Sequence, residues 1–168
     1  MASPLYYLWS MAERPDPVFR TLEKVVPLIG KMAIYDSQVE ASQRIPHQWR
    51  AFRSTHPALG SSSEFYGASP CTADHKIHYF AGVAKESLEG LITGEHLTLE
   101  AGEYAFFRVD DAALLRDTWT WLLRSWLPAS GLPEKNAPEF ERYTDISETG
   151  TPIGPVEIWI PLEAPAKS

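Results

Sequence analysis

The stretch Gly102-Glu103-Tyr104-Ala105-Phe106-Phe107 repeats the pattern of Gly30-Lys31-Met32-Ala33-Ile34-Tyr35, which lies 72 residues earlier in the chain. The offset grows to 75 residues further on, where Glu64-Phe65-Tyr66 corresponds to Glu139-Phe140-Glu141. A repeat of this length is typical of a chain built from two similar structural halves. We therefore expect two halves related by a pseudo-two-fold axis, with a ligand groove between them.

Each half is predicted to run strand, helix, strand, strand. Apolar alternation and helical spacing support this order, as in the helix face formed by Ile45, Trp49 and Phe52. The fold class is therefore α+β, with antiparallel sheets. In the first half, about residues 25–86, we place strands at 25–35, 64–69 and 75–85 and a helix near 45–53. The second half, about residues 91–163, begins with a connecting strand at 91–100, followed by strands at 102–109, 139–145 and 156–163. Its helix follows the strand at 102–109 and is capped by Asp110 or Asp111. One side of this helix carries Leu115, Trp119, Leu122, Leu123, Trp126 and Leu127.

The chain length favours one domain, because 168 residues with 44% hydrophobic content can bury a stable core without disulfide bonds. We divide the chain into an N-terminal extension packed on the domain (1–20), the domain itself (21–163) and a frayed tail (164–168). The start, with its aromatic run Leu5–Trp9, lacks the basic segment of a secretion signal, and no window is apolar enough to span a membrane. A single cysteine, Cys71, predicts a partly buried thiol beside a turn and a reducing, cytoplasmic location.

The composition argues against several classes of function. A net charge of −7, with no Lys/Arg cluster, disfavours direct binding to nucleic acids and would favour the approach of cations. The closest histidine pair, His75 and His78, would point to opposite faces of a strand, so we expect no metal site. Phosphate loops, nucleophile elbows and dinucleotide fingerprints are missing from the sequence, and no cofactor is predicted.

A candidate ligand site follows from side-chain alternation on the strands. Residues two apart share a face, so Glu141 and Tyr143 point the same way, and in the repeat Glu141 stands where the first half has Tyr66. On the last strand of each half the aliphatic face must meet the helices, which leaves Phe80 and Trp159 facing away from that core. These five residues would form an aromatic box with one carboxylate, suited to a flat, hydrophobic cation. The alternative is that the rings belong to the core and the glutamate to the surface.

The chain also resembles a known family. The residues that carry the resemblance are Leu97–Arg108, Trp126-Leu127-Pro128-Ala129-Ser130-Gly131, Phe140-Glu141-Arg142-Tyr143 and Ile158-Trp159-Ile160-Pro161-Leu162. They resemble the GyrI-like small-molecule-binding domains, which also serve as effector-binding domains of AraC-type and MerR-type multidrug regulators. The resemblance covers roughly residues 25–162 and implies a SOUL-like fold of two strand-helix-strand-strand units. It also implies that Glu141 is the groove glutamate that receives cationic ligands in drug-binding members.

Three functions are compatible with this resemblance. The first is a stand-alone binding module that senses or sequesters hydrophobic, cationic or planar small molecules, since no helix-turn-helix segment is recognisable. The second is a hydrolase that opens strained cyclopropane rings of DNA-alkylating natural products, with Glu141 and Tyr143 as catalytic residues and Tyr66 as another source of a hydroxyl. The third is a protein-interaction module of the gyrase-inhibitor type, and a homodimer is a further alternative.

Overall fold

Eight antiparallel strands form one sheet in the computed structural model, which describes residues 16–57, 59, 64–85 and 93–164. With two helical stretches, the predicted α+β class is confirmed. The elements in chain order are β1 Val18–Leu22, β2 Val26–Tyr35, α1 Gln38–Thr55, β3 Phe65–Ser69, β4 Ile77–Ala84, β5 Glu95–Leu99, β6 Gly102–Val109, a 3₁₀ turn Ala112–Leu114, α2 Leu115–Trp121, a π-helical turn Leu122–Trp126, α3 Leu127–Ser130, β7 Glu139–Ile146 and β8 Pro152–Pro161.

The strand order of the sheet is β1-β6-β8-β7-β3-β4-β2-β5. We expected sheets in the plural, but β3 pairs with β7 and so joins the strands of both predicted halves into one sheet. In this central pair Gly67 lies opposite Glu141 and Phe65 lies opposite Tyr143. The centre of the sheet is therefore the place where residues from the two predicted halves come together.

The two faces of the sheet bury different sets of side chains. On the helix-covered face, α1 packs over Tyr79, Ala81 and Val83, and the second helical stretch packs over Phe107 and Ile158. These positions agree with the predicted alternation on the fourth and eighth strands. No helix of the described residues packs on the other face, which we call the uncovered face for that reason. It carries an aromatic cluster, and the rings belong to Tyr66, Phe80, Tyr104, Phe106, Phe140 and Trp159.

The first helix begins earlier than predicted. Its N-cap is Ser37, whose hydroxyl accepts a hydrogen bond from the backbone N–H of Glu40 at 3.1 Å. The Glu40 carboxylate in turn accepts from the N–H of Asp36 at 2.9 Å. These bonds satisfy donors that a helix N-terminus leaves unpaired, so the helix starts at Gln38, and Pro46 lies inside it. The predicted start near Ile45 is wrong for that reason.

The second helical stretch departs from a regular α-helix. Asp111 caps it as expected, accepting from the N–H of Ala113 at 3.0 Å, but the first turn is 3₁₀. The π-helical turn at Leu122–Trp126 then changes the rotation per residue. As a result Leu122 is buried whereas Leu123, predicted on the same apolar side, is exposed.

Two further expectations concern the periphery of the domain. β1 pairs antiparallel with β6 at one edge of the sheet, so part of the predicted extension is a strand of the domain. The aromatic run at Leu5–Trp9 and the tail from residue 165 lie outside the described residues.

Cys71 is exposed rather than partly buried, because it lies in the irregular segment between β3 and β4.

Candidate functional site

The five predicted ligand-binding residues lie on opposite faces of the sheet. Phe140 is opposite Trp159 on β8 and Ala68 on β3, and Ala68 is opposite Phe80, so Phe80 and Trp159 share the uncovered face. Tyr66 is opposite Arg142 and lies on that face too. Glu141 and Tyr143 alternate with Phe140 and Arg142, which places them on the helix-covered face.

The prediction of one box that contains all five residues is therefore wrong. It depended on matching Tyr66 with Glu141 across the repeat, although these residues face opposite sides of the sheet. A shift of one residue in a strand alignment moves a side chain to the other face. Tyr66 and Glu141 are thus not structural counterparts.

On the uncovered face, the predicted aromatic residues are used in packing. Tyr66, Phe80 and Trp159 are buried, and the Trp159 ring stacks on Phe140 with centroids 5.4 Å apart. Their polar atoms also have partners: the Tyr66 hydroxyl donates to Glu64 at 2.9 Å, and Trp159 Nε1 donates to Glu157 at 3.1 Å. For these three residues the structure agrees with the alternative of an aromatic core.

On the helix-covered face, Glu141 lies among aromatic residues from both helical stretches. Trp119 of α2 donates its indole N–H to Glu141 Oε1 at 2.5 Å. Next to Glu141, the hydroxyls of Tyr79 and Tyr143 lie 3.1 Å apart, and Trp49 of α1 donates its indole N–H to the Tyr79 hydroxyl at 2.9 Å. We call these five residues the Glu141 site. Glu141 and Trp119 remain partly exposed, whereas the other three are buried.

Sequence reasoning missed Trp49, Tyr79 and Trp119 as members of the site. Each was placed on a core-facing side, which is correct, but the carboxylate was expected on the other side of the sheet. The alternation of side chains on β7 could have identified them. Glu141 shares its face with Tyr143, and Tyr143 belongs to the core under α1.

Burial sets the electrostatics of the site. Burial is the main reason that the pKa of Glu141 is raised to about 8. The hydrogen bond from Trp119 lowers this pKa, and the negative charge of Glu139 raises it. Burial, followed by the charge of Glu141, also holds the pKa of the Tyr79 phenol well above its usual range. At neutral pH the Glu141 carboxyl is therefore mostly protonated, and the Tyr79 phenol is neutral.

A second carboxyl lies on the same face of β7. Glu139 is two residues from Glu141, in the regular part of the strand, and burial raises its pKa to about 7, with a further contribution from Glu134. In the described part of the chain, no three His, Cys, Asp or Glu side chains converge as metal ligands. Within the same residues, no helix has the length and apolar content to cross a membrane.

Gly67 allows the Tyr79 hydroxyl to reach the site. A Cβ atom at Gly67 would lie 2.0 Å from that hydroxyl oxygen and 2.6 Å from the ring carbon that bears it. We expect Gly67→Ala to lower the free energy of unfolding by about 1–3 kcal/mol, measured by urea denaturation. The loss should be smaller in a Tyr79→Phe background, and an equal loss there would show that the clash is not with the hydroxyl.

Comparison with known proteins gives a match over most of the chain. The family described as "GyrI-like small molecule binding domain" matches residues 16–163. None of the curated proteins compared matches significantly.

Several solved structures share the fold. One is SAV2435 bound to tetraphenylphosphonium, with a TM-score of 0.69 and 20% identity over 88% of this chain and 94% of that one. Another is a putative transcription regulation protein from Staphylococcus aureus MU50, with a TM-score of 0.62 and 20% identity over 89% of this chain and 99% of that one. A third is an integron cassette protein from the mobile metagenome of Vibrio cholerae, with a TM-score of 0.67 and 17% identity over 88% and 95% of the two chains.

Proposed function

The chain belongs to the family of GyrI-like small molecule binding domains, and from that premise we propose that its ligands are hydrophobic cations held at the Glu141 site. The family itself accounts for small-molecule binding. The cationic preference and the role of Glu141 are our proposal, and one observation carries them. Glu141 is a crowded carboxyl group that no basic side chain of the described residues neutralises.

Burying a charge without a partner costs free energy. An ionised carboxylate in a crowded site is unfavourable without a cationic partner, and the raised pKa of Glu141 expresses this cost. A ligand that brings a positive charge would supply the missing partner and favour ionisation. The indole of Trp119 and the phenols beside it suit an apolar or aromatic ligand body through ring contacts and cation-π attraction.

The neighbour SAV2435 supports the same ligand class, because it was solved with tetraphenylphosphonium, a lipophilic monocation. The test is to titrate this chain with tetraphenylphosphonium and with neutral triphenylphosphine oxide while following tryptophan fluorescence. We expect the cation to bind at least about tenfold more tightly, as one favourable charge interaction in a poorly solvated site allows. Equal affinities, or no saturable binding of the cation, would contradict the proposal.

The internal repeat is also part of our proposal. The order β6-β8-β7 followed by β3-β4-β2 supports it, because each predicted half contributes three adjacent strands and the halves meet at β7 and β3. Each half also contributes a helix to the same face, and each helix contributes one indole to the Glu141 site.

Ring-opening hydrolysis is a second candidate, and the pKa of Glu141 favours it. The ionised form of a carboxyl group with a pKa of about 8 is a stronger base than an ordinary glutamate, so it is suited to accept a proton from water. Water oxygen would bond to a cyclopropane carbon, its proton would pass to Glu141, and the ring C–C electron pair would move into the substrate. Incubation with a strained cyclopropane electrophile should then give a hydrated product in wild type and none in Glu141→Gln. Stoichiometric binding without product would exclude this activity.

A further inference from the structure

Glu139 gives the Glu141 site a second carboxylate. The two side chains leave the same face of β7 from residues two apart, which separates their attachment points by roughly 6.6 Å. The Glu141 carboxylate accepts from the Trp119 indole, whereas the Glu139 carboxylate has neither a hydrogen bond nor an ion pair with any described residue. The nearest acidic neighbour, Glu134, repels it rather than pairing with it.

The Glu139 carboxylate is mostly buried but remains partly accessible to solvent. Protein surrounds the side chain on nearly all sides, yet the residue keeps some solvent exposure. No side-chain oxygen of the described residues is both hidden from solvent and without a hydrogen-bond partner. The unpaired oxygens of Glu139 therefore reach accessible space, on the face of the sheet that carries Glu141.

This pair is unusual in having no cation of its own. The titratable groups that act on it are Glu134, which lies near Glu139, and Tyr79, which lies near Glu141. Neither supplies positive charge, and no Lys, Arg or His of the described residues comes within ion-pair distance of either carboxylate. Protons neutralise these two crowded carboxyls in the free protein, and when both are ionised a ligand must supply the two positive charges that no basic side chain provides.

We propose that the site is built for a hydrophobic or aromatic dication, with Glu141 binding one positive charge and Glu139 the other. This inference rests on the proposed function and names a narrower ligand class within it. A monocation would satisfy one carboxylate and leave the other crowded and unpaired. A rigid ligand whose two charges match the spacing along the strand satisfies both.

The test uses methyl viologen, a two-ring dication, and 1-methyl-4-phenylpyridinium, a two-ring monocation of similar shape. Binding is measured at pH about 9, where both carboxyls are ionised. We expect wild type to bind the dication about tenfold more tightly than the monocation. Glu139→Gln should remove this difference and leave monocation affinity within about twofold of wild type, as expected when only one of two separate contacts is lost. Glu95→Gln, an exposed carboxylate on β5, is the matched control.

A second measurement needs no variant. Near pH 7 about half of Glu139 and most of Glu141 carry a proton, so a dication should displace about half a proton more than the monocation. Calorimetry in buffers of different ionisation enthalpy measures this number. Equal affinities and equal proton release for the two probes would overturn the dication inference, while binding of tetraphenylphosphonium would still support the proposed function. Failure of every cation to bind would overturn both.

Discussion

Glu141→Gln is expected to weaken tetraphenylphosphonium binding by about 30- to 150-fold at pH about 9, corresponding to about 2–3 kcal/mol. The substitution keeps the shape of the side chain and an oxygen that can accept from the Trp119 indole. It removes only the charge. Neutral triphenylphosphine oxide, which has no charge to pair, should bind both proteins with similar affinity.

The same substitution should stabilise the empty protein at alkaline pH. The fold raises the pKa of Glu141 from 4.5 to about 8, so it favours the protonated carboxyl. Stability from this group is complete below pH about 4.5 and is lost as pH rises through about 8. Glutamine cannot ionise, so the variant should be more stable by up to about 5 kcal/mol at pH 9 and similar to wild type at pH 4, measured by urea denaturation.

The matched control for both effects is Glu95→Gln. This glutamate is exposed on β5, so the same chemical change should alter neither affinity nor stability by much. A Glu141→Gln protein that is destabilised at pH 9, or that binds the cation as wild type does, would remove the charged carboxylate from the account.

The second large effect is the pH dependence of cation affinity. A cation binds the ionised form of Glu141, and below its pKa each pH unit reduces that form about tenfold. With a pKa of about 8 and a protonated form that binds about 30- to 150-fold more weakly, affinity for tetraphenylphosphonium should fall about 20- to 50-fold between pH 9 and pH 6. Isothermal titration over this range measures it. In Glu141→Gln the profile should be much flatter, and a flat profile in wild type would contradict the assignment.

Much of the architecture could be predicted from the sequence, because local patterns determine it. The strand Gly102–Val109 has its predicted bounds, since apolar alternation and the turn at Gly102 are local signals. The alternation that placed Tyr79 and Ile158 under the helices was also correct. The start of α1 was wrong because a proline suggested a boundary, whereas the Ser37 cap decided it.

The candidate site was harder to predict, because its contacts join distant parts of the chain. Glu141 and its partner Trp119 are 22 residues apart and meet only when α2 docks on the sheet. Glu141 was selected from the repeat and from its motif, but the same repeat alignment placed Tyr66 on its face, which is wrong. Phe80 and Trp159 were chosen by alternation on their own strands, and they lie on the other face of the sheet from Glu141. Sequence similarity between halves does not resolve a one-residue shift, whereas backbone pairing does.

A cationic ligand that pairs with the Glu141 carboxylate must lower the pKa of that group. The most direct measurement is therefore the pKa of Glu141 with and without ligand. Carbon-13 NMR of the side-chain carboxyl, assigned through Glu141→Gln, provides it. In the free protein we expect a pKa of about 8. Saturation with tetraphenylphosphonium should lower it to about 6, because a cation that binds the ionised form about 30- to 150-fold more tightly lowers the pKa by about 1.5 to 2. A pKa that stays near 8 in the saturated protein would contradict the account.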